Sequence, residues 1–159
     1  MLAKIRLYKD GSGQFLPRPV DLMRFNEEDI RQRLVDLGYD YNSDLMIVGF
    51  EDWQIERILT LEEAYRIRDL IKSAYSGNDF LVCHMLGNHS FSIESILTNR
   101  YAFLSKDEEE AMIEVSKYYD ADTLIRIFRK TNTWVNFIVA FVSSGELLNT
   151  SQGFYFKVN

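Results

Sequence analysis

The amino-acid sequence predicts an α+β fold built from three small modules. Strand-like alternation occurs near both ends of the chain, at residues 2–8 and 153–158, whereas helical periodicity dominates its middle. Hydrophobic residues make up 47% of the 159 residues, which is enough apolar surface for a buried core. The expected modules are a ββαβ sheet with one helix, a helical middle and an α+β C-terminal part, with the bounds 1–53, 54–98 and 99–159.

The first module begins with the alternating segment 2–8, which predicts a strand. Gly11 and Gly13 predict a turn over residues 9–13. Phe15 and Leu16 then predict a short returning strand. Pro17 confines that second strand to an edge, because proline cannot donate a ladder hydrogen bond.

A helix and a strand complete this module. Asn26 is the expected N-cap of the helix, because acidic residues fill the turn that follows it. Gly38 ends the helix. The next apolar segment, 44–53, predicts a strand that runs into the acidic pair Glu51 and Asp52.

Helical signals fill the middle of the chain. Thr60 and Glu63 form a capping sequence before a helix. The apolar run 80–86 fits a short helix or a strand, and periodicity does not decide between them. Residues 92–97 predict another short helix.

The last third returns to mixed structure. Residues 101–104 predict a strand, and Ser105 is the expected N-cap of a helix over 106–119. A short helix is expected over 123–128. The remaining segments, 134–141 and 153–158, predict strands.

Charge and cysteine content narrow the functional classes. The chain has 18 Lys and Arg residues against 24 Asp and Glu residues, which gives a net charge of −6 and argues against direct nucleic-acid binding. The longest strongly apolar run, 137–142, is too short to cross a bilayer. No signal peptide is visible, and the single Cys83 fits a reducing compartment. These features predict a cytoplasmic protein that does not bind membranes.

Catalytic and metal-binding motifs are not recognisable. Cys83, His84 and His89 lack the spacing of a zinc site, and no cofactor is expected. Cys83 lies among apolar residues, which favours a place in the core over a role as a nucleophile. The sequence therefore predicts a binding protein. An undetected enzyme with a pocket around His84 and His89 remains an alternative.

The most acidic segment is a candidate recognition surface. Asp107, Glu108, Glu109 and Glu110 open the helix predicted before residue 119, and Glu114 continues the face of Glu110. Acids at a helix N-terminus also stabilise the helix dipole, so a well-started solvated helix explains the run without a partner. Asp120 and Asp122 extend the acidic character beyond the helix.

The order of these features resembles the ArdA antirestriction family. LVDLGY at 34–39, MIVGFEDW at 46–53 and the helix at 107–119 occur in the family's order, and the resemblance covers nearly the whole chain. The other segments that contribute to it are 2–8, 58–64, 92–97, 101–104, 134–137, 140–141 and 153–155.

This resemblance implies a function. ArdA proteins are elongated, curved, three-module dimers from conjugative plasmids and transposons, and they inhibit type I restriction-modification enzymes by imitating DNA. The helix after Ser92 retains only Glu94 of the acids typical of the family, and the C-terminal module is nearly neutral, with eight acids and seven bases. The residues expected to bind the defence enzyme are Glu51, Asp52, Glu94, Asp107, Glu108, Glu109, Glu110, Glu114 and Asp120.

An alternative keeps the fold and changes the target. The protein would then act as an anti-CRISPR or another protein-binding inhibitor from a mobile element, with Trp53, Tyr75 and Trp134 as an aromatic hot spot. The apolar segment 137–142, expected as a strand, is either a homodimer contact or a buried core strand.

Overall fold

The structure, a computed structural model, describes residues 1–9 and 12–158. Helices and antiparallel sheets make up these residues, which confirms the predicted α+β class. The chain forms two compact units, 1–98 and 99–159. The expected boundary after residue 98 coincides with this division, whereas the expected boundary after residue 53 falls inside the first unit. Asp10 and Gly11, from the expected turn, lie outside the described residues.

The first unit is built on an antiparallel sheet. Its strands are β1 (Leu2–Lys9), β2 (Ser12–Phe15), β3 (Val20–Asp21), β4 (Asp44–Phe50) and β5 (Leu59–Thr60). They run in the order β2-β1-β4-β5, and β3 also pairs with β1. Along β1, Ala3, Ile5 and Leu7 are buried. Side chains alternate across a strand, so Arg6 and Tyr8 lie on the opposite face.

Two short strands extend this sheet beyond the predicted ββαβ order. β3 adds a pairing with the start of β1, where Leu2 lies opposite Asp21. β5 comes from the expected middle module, yet its Leu59 pairs with Ile47 of β4. Each strand has only two residues, so neither produces a recognisable alternation in the sequence. The pairing of β5 makes the middle segment part of the first unit's sheet.

Four helices complete the part of the first unit that the structure describes. They are α1 (Glu27–Asp36), α2 (Leu61–Ala74), α3 (Phe80–Gly87) and α4 (Ile93–Thr98). The predicted caps are confirmed: Asn26 accepts a hydrogen bond from the Asp29 backbone at 2.9 Å, and Thr60 accepts one from Glu63 at 3.1 Å. The ambiguous run 80–86 is helical. Its residues Val82, Met85 and Leu86 are fully buried.

The second unit packs helices on one face of a three-stranded sheet. Its elements are β6 (Tyr101–Ser105), α5 (Glu108–Ser116), α6 (Ala121–Thr131), α7 (Trp134–Ser143), β7 (Leu147–Thr150) and β8 (Gly153–Lys157). The strands run in the order β6-β8-β7, all antiparallel. Its core combines α5, α7 and the two C-terminal strands, through Ala111, Met112, Val115, Phe137, Ile138, Phe141, Leu147, Phe154 and Phe156.

The predicted strand at 134–141 is wrong, because this segment forms helix α7. Thr133 caps the helix by accepting a hydrogen bond from the Asn136 backbone at 3.1 Å. Phe137, Ile138 and Phe141 face the core at helical spacing. The apolar segment 137–142 is therefore not a strand available for edge pairing.

The connection between α6 and α7 is as short as the two caps allow. Asn132 ends α6 with a left-handed backbone (φ 60°), and its N–H donates to the Phe128 carbonyl at 2.8 Å. The next residue, Thr133, already caps α7. Asn132 therefore ends one helix, and Thr133, the next residue, begins the other.

The helix predicted over 106–119 is shorter than expected. Ser105 is not its N-cap, because Asp107 accepts the hydrogen bond from the Glu110 backbone at 2.9 Å. Ser105 instead accepts a hydrogen bond from the Asp107 backbone at 3.0 Å. Aspartate and serine are similarly good caps, so composition alone does not select between them. Among the described residues, no helix has the length and apolar character needed to cross a membrane.

Gly153 is the glycine whose replacement should disturb the second unit most. Its φ is +127°, and an added Cβ would lie 2.7 Å from the Ser105 carbonyl oxygen and 2.9 Å from a Phe103 ring carbon. We expect Gly153→Ala to destabilise the protein by about 2 kcal/mol or more, because a strained backbone and a clash coincide. Urea or thermal unfolding would measure the change.

The matched control is Gly87→Ala, at the end of α3. Nothing lies within 4 Å of its added Cβ, so this variant should be as stable as the wild type or slightly more stable. A Gly153→Ala protein that unfolds together with the wild type would contradict the assignment.

Candidate functional site

The start of helix α5 is fixed by a local hydrogen-bond network. Asp107 binds the Glu110 backbone N–H at 2.9 Å, and the Ser105 hydroxyl donates to Glu110 Oε2 at 2.7 Å. Glu108 Oε1 accepts from the indole nitrogen of Trp134 at 3.0 Å. These contacts restrict the positions of three carboxylates at the exposed beginning of the helix.

The buried side of α5 determines which carboxylates face solvent. Ala111, Met112 and Val115 pack into the core. Side chains three and four positions apart share a helix face, so Glu110 and Glu114 lie together on the outer side. Glu114 is half-buried and pairs with Lys117 at 2.5 Å. We call Asp107, Glu108, Glu109, Glu110 and Glu114 the α5 acidic face; the first four surround the beginning of the helix, and Glu110 and Glu114 share its outer side.

The α5 acidic face has about two thirds of the charge density of duplex DNA over a short distance. Residues 107–114 span about 10 Å, because an α-helix rises about 1.5 Å per residue. Duplex DNA carries about one charge per 1.7 Å of axis, which is about six phosphates over the same length. Five carboxylates lie in this interval, and Lys117 offsets one of them by pairing with Glu114.

Two exposed apolar side chains that were not predicted from the sequence accompany the α5 acidic face. Ile113 is 52% exposed and lies one turn after Glu109, while Tyr118, just beyond the helix, is 64% exposed. The i, i+4 spacing of Glu109 and Ile113 was the sequence signal for this position, because it places the two side chains next to each other on the helix. A partner of this surface would therefore meet apolar atoms as well as carboxylates.

The acids predicted in the first unit do not belong to this helix. Glu51 is exposed in the turn that follows β4. Asp52 Oδ2 lies 2.6 Å from the amino group of Met1, and its other oxygen accepts from the Leu2 backbone at 2.8 Å. Asp52 therefore has a local counter-ion. Glu94 is exposed in the first turn of the short helix α4.

Asp120 has a structural role at the start of α6. Its carboxylate accepts hydrogen bonds from the Thr123 hydroxyl at 2.7 Å and from the Thr123 backbone at 2.8 Å. These hydrogen bonds favour the ionised form and lower the pKa of Asp120 below its usual value. The helix predicted over 123–128 accordingly begins two residues earlier, at Ala121.

The three aromatic residues of the alternative hot spot are in different surroundings. Trp53 is half-buried, with its ring 4.6 Å from that of Phe50, and it donates to Asp79 Oδ2 at 2.8 Å. Tyr75 is also half-buried. Trp134 is 43% exposed and belongs to the second unit, beside Glu108. Only Trp134 offers a large exposed ring.

A shallow depression of about 500 Å³ lies at the turn between β7 and β8. Phe103 and Tyr155 meet there edge to face, with ring centroids 5.4 Å apart. Lys106 is the charged residue among its described lining residues, which include neither histidine nor carboxylate. The remaining lining residues are Asn149, Thr150, Ser151, Gln152, Gly153 and Phe154.

Cys83 and His84, from the alternative enzyme hypothesis, are half-buried, whereas His89 is exposed. Burial raises the pKa of the Cys83 thiol to about 12, and Asp79 and Asp52 add to the shift. Burial lowers the pKa of His84 below its usual value. Among the described residues, no three or more of His, Cys, Asp and Glu are arranged to hold a metal ion. No known protein family, curated protein or solved structure matches the chain.

The raised pKa of Cys83 predicts slow alkylation. An ordinary cysteine has a pKa of about 8.5, so a value of about 12 lowers the thiolate fraction at neutral pH by roughly three orders of magnitude. Higher intrinsic nucleophilicity offsets part of this loss. We expect iodoacetamide to react at pH 7.5 about tenfold or more slowly in the native protein than in denaturant. The native rate should keep rising above pH 10, and a plateau near pH 8.5 would contradict the assignment.

The Asp120 cap predicts a pH-dependent stability difference. The folded pKa is lowered, so the stabilisation is present above the unfolded pKa of about 3.9 and is lost as the pH falls through the folded value. Asp120→Ala should therefore melt below the wild type at pH 7, with a difference that shrinks below about pH 4. Asp120→Asn keeps the cap and should stay close to the wild type at pH 7. Equal melting of Asp120→Ala and wild type at pH 7 would refute the cap.

Proposed function

We propose that the protein is a non-enzymatic inhibitor that presents the α5 acidic face to the DNA-binding cleft of a host defence enzyme. The observation that carries the proposal is the concentration of acids at the start of α5, where residues 107–114 contain five carboxylates and only Glu114 is paired with a lysine among the described residues. A cationic cleft shaped for phosphates attracts such a surface electrostatically. Residues 107–114 would imitate only a short stretch of DNA, and this is compatible with the small net charge of the whole chain.

The proposed target is a type I restriction-modification enzyme, which is what the resemblance to ArdA proteins implies. The fixed carboxylates support this target, since ordered charges bind with a smaller entropic cost than mobile ones. Homodimer formation is part of the proposal, because a second copy would double the imitated length. The compartment in which it would act is the cytoplasm.

A protein-binding inhibitor with another target is the second candidate. Trp134 supports it, because its ring is exposed, and Val135 and Val139 are also exposed elsewhere on α7. An anti-CRISPR protein or a related inhibitor would use them as an apolar anchor. Such binding would depend little on salt, which separates it from charge-driven imitation of DNA.

Charge neutralisation tests the proposal. The double variant Glu109→Gln/Glu114→Gln removes two carboxylates that do not cap a helix. We expect it to raise the concentration for half-inhibition of a type I enzyme's DNA cleavage about tenfold or more, because each lost charge at close range costs on the order of 1 kcal/mol. Inhibition by the wild type should weaken as salt rises from 50 to about 300 mM.

The matched control is Glu56→Gln/Glu62→Gln, which removes the same charge from exposed positions in the first unit. It should inhibit within about twofold of the wild type. An equal loss of inhibition in both double variants would show that only the net charge of the protein matters. Full inhibition by the α5 variant would exclude the α5 acidic face as the binding surface.

A further inference from the structure

Helix α6 leaves part of its apolar side uncovered. Among the described helices, it is the one that contributes no buried residue. Ile125 and Phe128, three positions apart on one side of α6, are both exposed. Arg129 follows Ile125 by four positions, so it lies on the same side. None of the described carboxylates forms an ion pair with Arg129.

A chain of contacts connects this side of α6 with the start of α5. The rings of Phe128 and Phe137 meet edge to face with centroids 5.8 Å apart, and the Trp134 ring lies 5.9 Å from that of Phe137. The Trp134 indole donates to Glu108 Oε1 at 3.0 Å. Phe137 is buried beneath the two exposed rings. We call Glu108, Trp134, Phe128, Ile125 and Arg129 the joint patch.

The joint patch is complementary to itself. In the order of contacts, its apolar side chains come between the Glu108 carboxylate at one end and the Arg129 guanidinium at the other. Glu108 Oε2 accepts no hydrogen bond from the described residues, so it is available to a donor. Two copies related by a two-fold axis would place the carboxylate of each beside the guanidinium of the other.

We propose that two copies of this chain form a symmetric dimer through the joint patch. Arg129 of each copy donates to Glu108 of the other, and the exposed rings and Ile125 pack between the two ion pairs. Aromatic residues and arginine are the residue types enriched in protein interfaces. The inference goes beyond the proposed function, because it assigns the surface through which the chain pairs with itself. It holds whichever protein the α5 acidic face binds.

The arrangement of charges favours a second copy over two other occupants. Insertion into a membrane would move the Glu108 carboxylate into apolar surroundings together with Trp134, which is costly for a charged group. An unrelated protein would have to present a base and an acid in the inverse order, with apolar atoms between them. A second copy presents this order by symmetry.

The test is sedimentation velocity of the full chain from about 1 to about 500 µM at low salt, a range that includes the weak dimers expected of a small interface. The wild type should dimerise. Arg129→Glu and Glu108→Arg should each weaken the dimer about tenfold or more, because two pairs of opposite charge become two pairs of like charge. An equimolar mixture of these variants should form a heterodimer, since both pairs are then again of opposite charge.

The matched control compares two isoleucines of the second unit. Ile125 is 53% exposed within the joint patch, and Ile113 is 52% exposed outside it. Ile125→Ser should weaken the dimer about tenfold or more, whereas Ile113→Ser should dimerise like the wild type. Glu109→Gln/Glu114→Gln should also dimerise like the wild type. Failure of the dimer and failure of the proposed inhibition are therefore separate results.

Three results would overturn the inference. They are a wild type that stays monomeric over the whole concentration range, an equal loss of dimer in the two isoleucine variants, and a mixture of the charge variants without heterodimer. Circular dichroism of each variant would verify that it is folded.

Discussion

Burial of a single side of each secondary-structure element is the constraint on which the surface of this protein depends. In β1, the buried residues Ala3, Ile5 and Leu7 oblige Arg6 and Tyr8 to face outward. In α5, burial of Ala111, Met112 and Val115 similarly sends the glutamates to solvent. The apolar core therefore determines which side chains of β1 and α5 face outward.

Much of the fold could be predicted because its signals are local. Asn26 and Thr60 each precede an acidic first turn, and both cap the expected helices. The two-residue strands β3 and β5 could not be predicted, since their existence depends on partners distant in sequence. The segment 134–141 was wrongly predicted as a strand because a continuous apolar run has the same composition in either structure. The cap on Thr133 was the local signal that distinguishes them.

Only part of the candidate site could be predicted from the sequence. The run from Asp107 to Glu110 was identified, and its position on an exposed helix start follows from N-terminal capping. The surroundings of Asp52 were not predictable, because its counter-ion is an amino group 51 positions earlier that approaches through the pairing of β1 with β4. The net charge of the C-terminal module, with eight acids and seven bases, conceals the concentration of acids at the start of α5.

The two-residue joint at Asn132 and Thr133 has a mechanical consequence. Each residue already belongs to the cap of one helix, so no free link remains to absorb a rotation. A change in the angle between α6 and α7 would therefore have to break one of these caps. It would also separate the rings of Phe128 and Phe137, whose centroids lie 5.8 Å apart across the joint.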